Sequence, residues 1–291
     1  MDSIGIVIVL YNPNVAHIHR LNNFINCVLE SKVCTCIVVD NSFEITRGLE
    51  SNINVVYIYN NCNMGIAYAQ NIGIREAQRL NCKYIVFFDQ DSDYDMCFVI
   101  NMVDAYKQIK LQEPHIAVLG PFIANQDIAK VETSNINSEN YIKVKTVISS
   151  GSVVETTIFD VVGTMEDKLF IDLVDHEWCW RAQGLGYCCC QSSQIVLPHK
   201  VGEYNRTIFG YPIIVSSPFR YYYKYRNYVL MLSRSYVPLK WKIKETIRKT
   251  VELFCVPMMT KQKSIFYHML KGIKDGVIGK DYGEDLNICK R

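Results

Sequence analysis

The chain lacks any apolar run long enough to cross a bilayer. The longest, such as Ile6–Tyr11 and Tyr84–Phe88, fall far short of the roughly 20 residues that a spanning helix needs. No positive residue precedes the first run and no small-residue cleavage site follows it, so no secretory leader is expected. No Gly-x-Gly-x-x-Gly follows a strand and no Gly-x4-Gly-Lys-Ser/Thr occurs, which argues against a dinucleotide fingerprint and a phosphate-loop ATPase. A Gly-x-Ser-x-Gly nucleophile elbow is missing too. Cys34-Thr35-Cys36 and Cys188-Cys189-Cys190 lack zinc-ribbon spacing, so the twelve cysteines read as reduced cytosolic thiols and small buried hydrophobes. No internal repeat is found. What remains is 291 residues, 49% hydrophobic and 21% charged. That balance suits one large packed domain or two small ones and excludes a disordered, collagen-like or coiled-coil chain.

The net charge of +2 conceals a division. Residues 1–219 hold 15 Lys+Arg against 23 Asp+Glu, a net of −8, while residues 220–291 hold 16 against 6, a net of +10. A basic, aromatic tail on an acidic body calls for a negatively charged partner. Nucleic acid, anionic lipid and a diphosphate-bearing lipid all match the tail, but a nucleic-acid binder would carry a basic body as well. Lys240–Phe254 places Ile243, Ile247, Val251 and Phe254 at helical spacing, opposite Lys242, Arg248 and Lys249. This is either a basic amphipathic helix lying on a membrane surface or a helix packed on the body with solvated lysines outside.

The first half alternates strand and helix signals, the pattern of an α/β fold with a largely parallel sheet. Strands are expected at Gly5–Tyr11, Cys36–Val39, Asn54–Tyr59 and Tyr84–Phe88, and helices at His17–Glu30 and Met64–Arg79, the latter with Asn63 as N-cap. Further on, Val147–Glu155 reads as a strand pair or bend, Leu169–Gln183 as a helix and Tyr187–Leu197 as a strand. In such sheets ligands bind beyond the carboxyl ends of the strands. Tyr11-Asn12, Asp40-Asn41 and Asp89–Asp91 all stand there, which makes one rim of the sheet the candidate site.

Asp89 and Asp91 straddle the end of a strand and can share a hard divalent cation, or they can form an acidic turn. Gly65, Ala69, Gly73 and Ala77 make a small-residue stripe that serves either a ligand or tight helix–sheet packing. Asn63 and Gly65, at the helix start, are better placed for phosphate contact. Asp175 has no evident partner and suits a general base, whereas Glu177 and Arg181 form a structural i, i+4 pair. Trp178 and Trp180 either stack on a sugar or fill the core. His199, after Pro198, is a structural histidine or completes a metal site with Asp91.

Several segments, in order, carry a resemblance. They are Val7-Ile8-Val9-Leu10-Tyr11-Asn12-Pro13, Val38-Val39-Asp40-Asn41-Ser42, Asn63-Met64-Gly65-Ile66-Ala67 and Phe87-Phe88-Asp89-Gln90-Asp91-Ser92. Phe170 through Trp178, Leu197-Pro198-His199, Arg220-Tyr221-Tyr222-Tyr223 and Arg226-Asn227 complete the set. Over almost its whole length the chain resembles the family 2 glycosyltransferases of GT-A fold, and among them the bacterial rhamnosyltransferases of polysaccharide and O-antigen assembly. The resemblance implies a glycosyltransferase domain over 1–219, with a nucleotide-sugar half at 1–95 and an acceptor and catalytic half at 96–219. A basic helical extension follows over 220–291.

By position, the resemblance implies that Tyr11, Asn12 and Asp40 hold the nucleoside, Asp40 accepting from a pyrimidine N3–H. Asn63 and Gly65 line the donor pocket. Asp91 binds Mg²⁺ or Mn²⁺, Asp89 assists near the ribose, and His199 is an extra metal or diphosphate ligand. Asp175 matches the family's base, although the usual Glu-Asp-x-Asp is here Val174-Asp175-His176-Glu177. Gly151 falls in the acceptor-side loop, and Trp178 is read as an acceptor contact. Arg226 neutralises the departing diphosphate together with the metal. One carboxylate base suffices for an inverting single displacement. The implied donor is dTDP-L-rhamnose, with a UDP-hexose or UDP-galactofuranose as alternatives. The implied acceptor is a lipid-linked saccharide, which places the enzyme in the cytoplasm, peripheral on the inner face of the membrane. A catalytically silent nucleotide-sugar binder would have lost its base or metal residues, and Asp91 and Asp175 are both present.

Overall fold

Apolar runs covered from both sides build the sheet, as strands buried on both faces require. The computed structural model describes residues 2–49, 55–92, 95–123, 140–197, 206–208, 211–213 and 215–280. β1 (Ile4–Leu10) is buried throughout, and β2 (Cys34–Asp40) and β4 (Tyr84–Asp89) are buried at all but one residue each. With β3 (Val55–Tyr59), β5 (Ile116–Ile123), β6 (Tyr141–Val144), β7 (Val153–Glu155) and β8 (Cys188–Leu197) they form an eight-stranded sheet of order β3-β2-β1-β4-β7-β5-β8-β6. β1 to β4 are mutually parallel where they pair, β7 runs antiparallel between β4 and β5, and β6 runs antiparallel to β8 at the edge. A separate two-stranded ribbon pairs β9 (Arg206–Ile208) with β10 (Tyr211–Ile213).

Helices cover both faces. On one, α1 (Val15–Glu30) and α3 (Met96–Gln112) pack Leu21, Phe24, Phe98 and Met102 over Ile4, Ile6 and Ile8. On the other, α2 (Ile66–Arg79), α4 (Ile158–Val162) and α5 (Val174–Gly184) pack Ala67, Ala77, Phe159 and Trp178 over Val7, Ile37 and Phe87. The small-residue stripe of α2 serves this packing. A Cβ on Gly73 would lie 2.3 Å from Val7 Cγ1, and one on Gly5 would lie 3.0 Å from Ala77 Cβ. Cys34, Cys36, Cys189 and Cys190 are buried, and the described cysteines are all free thiols.

Two helices start later than their sequence periodicity suggests. α2 begins after Gly65, whose φ of 85° breaks the helix that Asn63 was expected to cap. α5 begins only at Val174, because Phe170, Asp172 and Leu173 take φ values of 62°, 65° and 65°. Residues other than glycine seldom enter that region without being held there.

Among the described residues the basic tail forms three helices, α6 (Pro218–Leu232), α7 (Leu239–Thr260) and α8 (Lys263–Val277). α8 lies tightly on α6: a Cβ on Gly272 would sit 2.4 Å from the carbonyl oxygen of Tyr222. α7 reverses the expected packing with solvated lysines outside. Glu245, Lys249 and Glu252 are buried, and Lys242 Nζ donates to the carbonyls of Leu232 and Arg234 at 2.8 and 2.7 Å.

Candidate active site

Strand register brings the three polar rim segments level. Val9 lies opposite both Val39 and Asp89, and Leu10 opposite Asp40. Side chains then tie the loops together. Tyr11 N–H donates to Gln90 Oε1 at 2.8 Å, and Asn12 N–H to Ser42 Oγ at 2.8 Å. Asn41 is the hub. Its Nδ2 donates to Asn63 Oδ1 (3.0 Å) and the Gly65 carbonyl (3.2 Å), and its Oδ1 accepts from Asn60 Nδ2 and Met64 N–H. Under the Asp89–Asp91 turn, Ser92 Oγ meets Ser150 Oγ at 2.7 Å. Tyr11, Asn12 and Asp91 remain exposed on this rim, and Asn63 and Asp89 are half-buried.

Three carboxylates feel one another here. Burial, then the charges of Asp91 and Asp175, push the Asp89 carboxyl up to about 7. A cation would relieve that repulsion. Among the described residues no three His, Cys, Asp or Glu side chains could cage a metal alone. Asp89 and Asp91 are the carboxylates on this rim that could offer oxygens to a hard cation completed by water and phosphate. His199 lies outside the described residues.

Asp175 stands in the first turn of α5. Its Oδ1 accepts from the backbone N–H of His176 at 2.8 Å and from His176 Nδ1 at 2.9 Å. Burial pushes the Asp175 carboxyl up, but the His176 bonds outweigh it and hold it below 3.8. His176 is shifted the other way: burial pulls it down, and the Asp175 pair raises it above 6.5. One residue on, Glu177 is fully buried and makes the expected pair, accepting from Arg181 Nε and Nη2 at 2.9 Å each. It also accepts from Tyr236 Oη at 2.6 Å and Arg234 Nη1 at 3.1 Å, fastening α5 to the tail.

Five of the expected site residues have partners within the protein. Asp40, expected to receive a nucleobase N3–H, is fully buried. It accepts from Ser42 N–H (3.0 Å), Thr46 N–H (2.9 Å) and Tyr57 Oη (2.5 Å), so it anchors the loop after β2. Burial raises its carboxyl and these bonds bring it below the usual value. Arg226, expected at a diphosphate, is fully buried. It donates to the Lys168 carbonyl and Asn227 Oδ1 and lies 4.9 Å over the Tyr223 ring. Trp178, read as an acceptor contact, is core: its Nε1 donates to the Gly163 carbonyl at 2.8 Å and its ring packs on Phe159.

Gly151, placed in the acceptor loop, is buried with φ 75° and donates to the Phe87 carbonyl, supporting β4 from below. Gly65 lies beneath Phe170, where a Cβ would meet the Phe170 carbonyl at 2.6 Å. The helix start it was expected to offer to phosphate is capped by that carbonyl, which accepts from Ile66 N–H at 2.7 Å.

Sequence reasoning assigned no role to Asn227. Its Nδ2 donates to the carbonyls of Leu169, Ile171 and Asp172 at 2.8, 2.7 and 2.9 Å, clamping the left-handed turn that leads to Asp175. Arg220 adds a two-nitrogen pair to Asp172, the shortest contact 2.8 Å. α6 thus belongs to the site.

The rim of the parallel sheet carries clustered carboxylates, with the Asp175 carboxylate at the start of α5, in keeping with the expected GT-A glycosyltransferase fold. Known proteins agree. The profile of "Glycosyl transferase family 2" matches residues 5–147. The "dTDP-rhamnosyl transferase RfbF" of Shigella flexneri is 31% identical over 98% of this chain and 99% of its own. Two solved structures share the fold. One is the mannosyltransferase PcManGT from Pyrobaculum calidifontis in complex with GDP-Man and Mn²⁺ (TM-score 0.56, 12% identity, 98% of this chain and 80% of that one). The other is GalNAc-T7 with UDP, GalNAc and Mn²⁺ (TM-score 0.54, 12% identity). The chain covers 98% of its own length there but spans 57% of that longer chain. The chain belongs to glycosyltransferase family 2 and is a glycosyltransferase.

Proposed function

We propose that the enzyme is an inverting rhamnosyltransferase, moving L-rhamnose from dTDP-L-rhamnose to a hydroxyl of a lipid-linked saccharide in cell-surface polysaccharide synthesis at the cytoplasmic face of the membrane. The observation that carries this reading is the 31% identity, over nearly the full length of both chains, to a dTDP-rhamnosyl transferase. The site supports it with one ionised carboxylate set on a clamped helix start.

In this reading Tyr11, Asn12 and Asn63 line the nucleotide pocket. Asp91, with Asp89, would hold Mg²⁺ or Mn²⁺, which would supply positive charge to stabilise the departing diphosphate. Asp175 takes the proton from the acceptor hydroxyl as that oxygen attacks the anomeric carbon. The C–O bond to dTDP breaks on the opposite side, so configuration inverts. His176 fixes the Asp175 carboxylate and keeps it unprotonated. In the same reading residues 1–95 hold the donor, 96–219 carry the base and acceptor, and α6, which opens the basic extension, locks the base in place.

Purified enzyme is tested for binding and slow hydrolysis of a panel of nucleotide sugars. The expected result is saturable release of dTDP from dTDP-L-rhamnose and none from UDP- or GDP-hexoses. Preferential turnover of a UDP sugar refutes the donor assignment.

A further inference from the structure

α7 is built inside out. Glu245, Lys249 and Glu252 face the protein, Lys249 donating to Glu252 at 2.8 Å. Leu239, Ile243, Ile247, Val251, Phe254 and Met258 recur every three or four residues along the opposite side, one stripe of a helix. All six are exposed, Ile247 by 63% and Met258 by 78%. A continuous uncovered apolar stripe marks an interaction surface.

Charge identifies the occupant. Lys240 and Lys244, four residues apart on the border of the stripe, are both exposed, and Arg248 continues the row, 56% exposed beside its partner Glu245. Both glutamates of α7 are turned inward and matched by Arg248 and Lys249, so the helix shows no uncompensated acid. Two copies of this chain meeting stripe to stripe would set basic borders together without an acidic counterpart. An anionic lipid surface supplies the missing charge, and lysine stems can lie along acyl chains with their ammonium groups among phosphates. No helix among the described residues is long and apolar enough to cross a membrane.

We propose that α7 is an in-plane membrane anchor: its apolar stripe seats among the acyl chains at an anionic bilayer surface, with Lys240 and Lys244 on the phosphates. The anchor gives the membrane placement in the reading above a specific surface, and it rests on that reading only for the acceptor's location.

Flotation of the full chain with acceptor-free vesicles tests it. Phosphatidylcholine vesicles containing phosphatidylglycerol are compared with phosphatidylcholine alone. The parent chain should float with the anionic vesicles. Ile247→Glu and Phe254→Glu, both at exposed positions, should lower the bound fraction by about tenfold or more. Lys240→Gln with Lys244→Gln should weaken binding and flatten its salt dependence. Thermal melting of each variant should match the parent, which separates lost binding from lost folding. The proposal is overturned if the parent stays at the bottom with both vesicles, or if Ile247→Glu floats as the parent does. It is also overturned if sedimentation shows a dimer that Ile247→Glu splits, which would assign the stripe to a second copy. Because neither donor nor acceptor is present, a wrong donor assignment leaves the flotation result unchanged.

Discussion

Replacing Asn227 by alanine removes one amide from the middle of α6, and its effect can be worked from the contacts. Nδ2 serves three carbonyls at 2.7 to 2.9 Å, and Oδ1 accepts from Arg226 Nε and Nη2 at 3.2 and 3.0 Å, all around a fully buried side chain. Two amide hydrogens shared among three acceptors contribute about 1 kcal/mol each, and a carbonyl left bare in the interior costs about 1–3 kcal/mol more. Partial relaxation brings the expected loss to roughly 2–4 kcal/mol, or a fall in Tm of roughly 4–10 °C for a chain of this size. The catalytic effect should exceed the stability effect. Phe170, Asp172 and Leu173 are held at positive φ, each at a cost of about 1 kcal/mol or more, and without the clamp they relax. Asp175 follows two residues later, and a shift of about 1 Å at a reacting group lowers a rate by on the order of 10²-fold. We therefore expect kcat to fall by about 10²-fold with the donor KM little changed. Asn227→Asp keeps the shape and the Arg226 contact but turns an oxygen towards three carbonyl oxygens, so it should be at least as damaging. Scanning fluorimetry and steady-state dTDP release measure both quantities. Parental Tm and kcat in Asn227→Ala, or a more stable Asn227→Asp, would refute the reasoning.

Asp175→Asn should lower turnover by roughly 10²–10⁴-fold while donor binding persists; near-parental turnover would remove it as the base. His176 holds the Asp175 carboxyl down against burial. His176→Ala leaves burial unopposed and should move the acid limb of kcat/KM to higher pH, and an unmoved limb contradicts this. Exhaustive EDTA treatment should abolish transfer and added Mg²⁺ or Mn²⁺ restore it; activity that survives chelation rules out the metal role of Asp89 and Asp91. Trp178→Ala should cost about 3–5 kcal/mol as a core truncation, whereas a selective rise in acceptor KM at parental Tm would return Trp178 to the acceptor site.

Much of this architecture is written locally. Ile4–Leu10, Cys34–Asp40 and Tyr84–Asp89 are apolar because helices cover both faces, and their polar ends mark the rim in the sequence itself. Asp89 and Asp91 are legible as acids at a strand end, and Asp175 as an acid near the start of a helix. What is not legible is where a side chain's partner comes from across the fold. Arg226 looks available until Lys168, 58 residues away, is placed against it. Asp40 looks available until Tyr57 and Thr46 close over it. Trp178 cannot be sorted between core and sugar without Phe159 and Gly163 beside it. The sequence reads as helix from Leu169, whereas donors from α6 hold Phe170–Leu173 in a turn with positive φ values that sequence spacing does not reveal. α7 shows its two faces in sequence, but their direction depends on which acids and lysines the neighbouring helix accepts.

The clamp also sets an order of events while the chain is being made. Asp175 leaves the ribosome more than fifty residues ahead of Asn227, so the emerging polypeptide already carries its acidic rim and Asp175 while the turn before α5 still lacks its clamp from α6. Alignment waits for translation of α6. A message cut short after Phe219 would encode Asp89, Asp91 and Asp175 without the Asn227 amide that clamps the turn before α5.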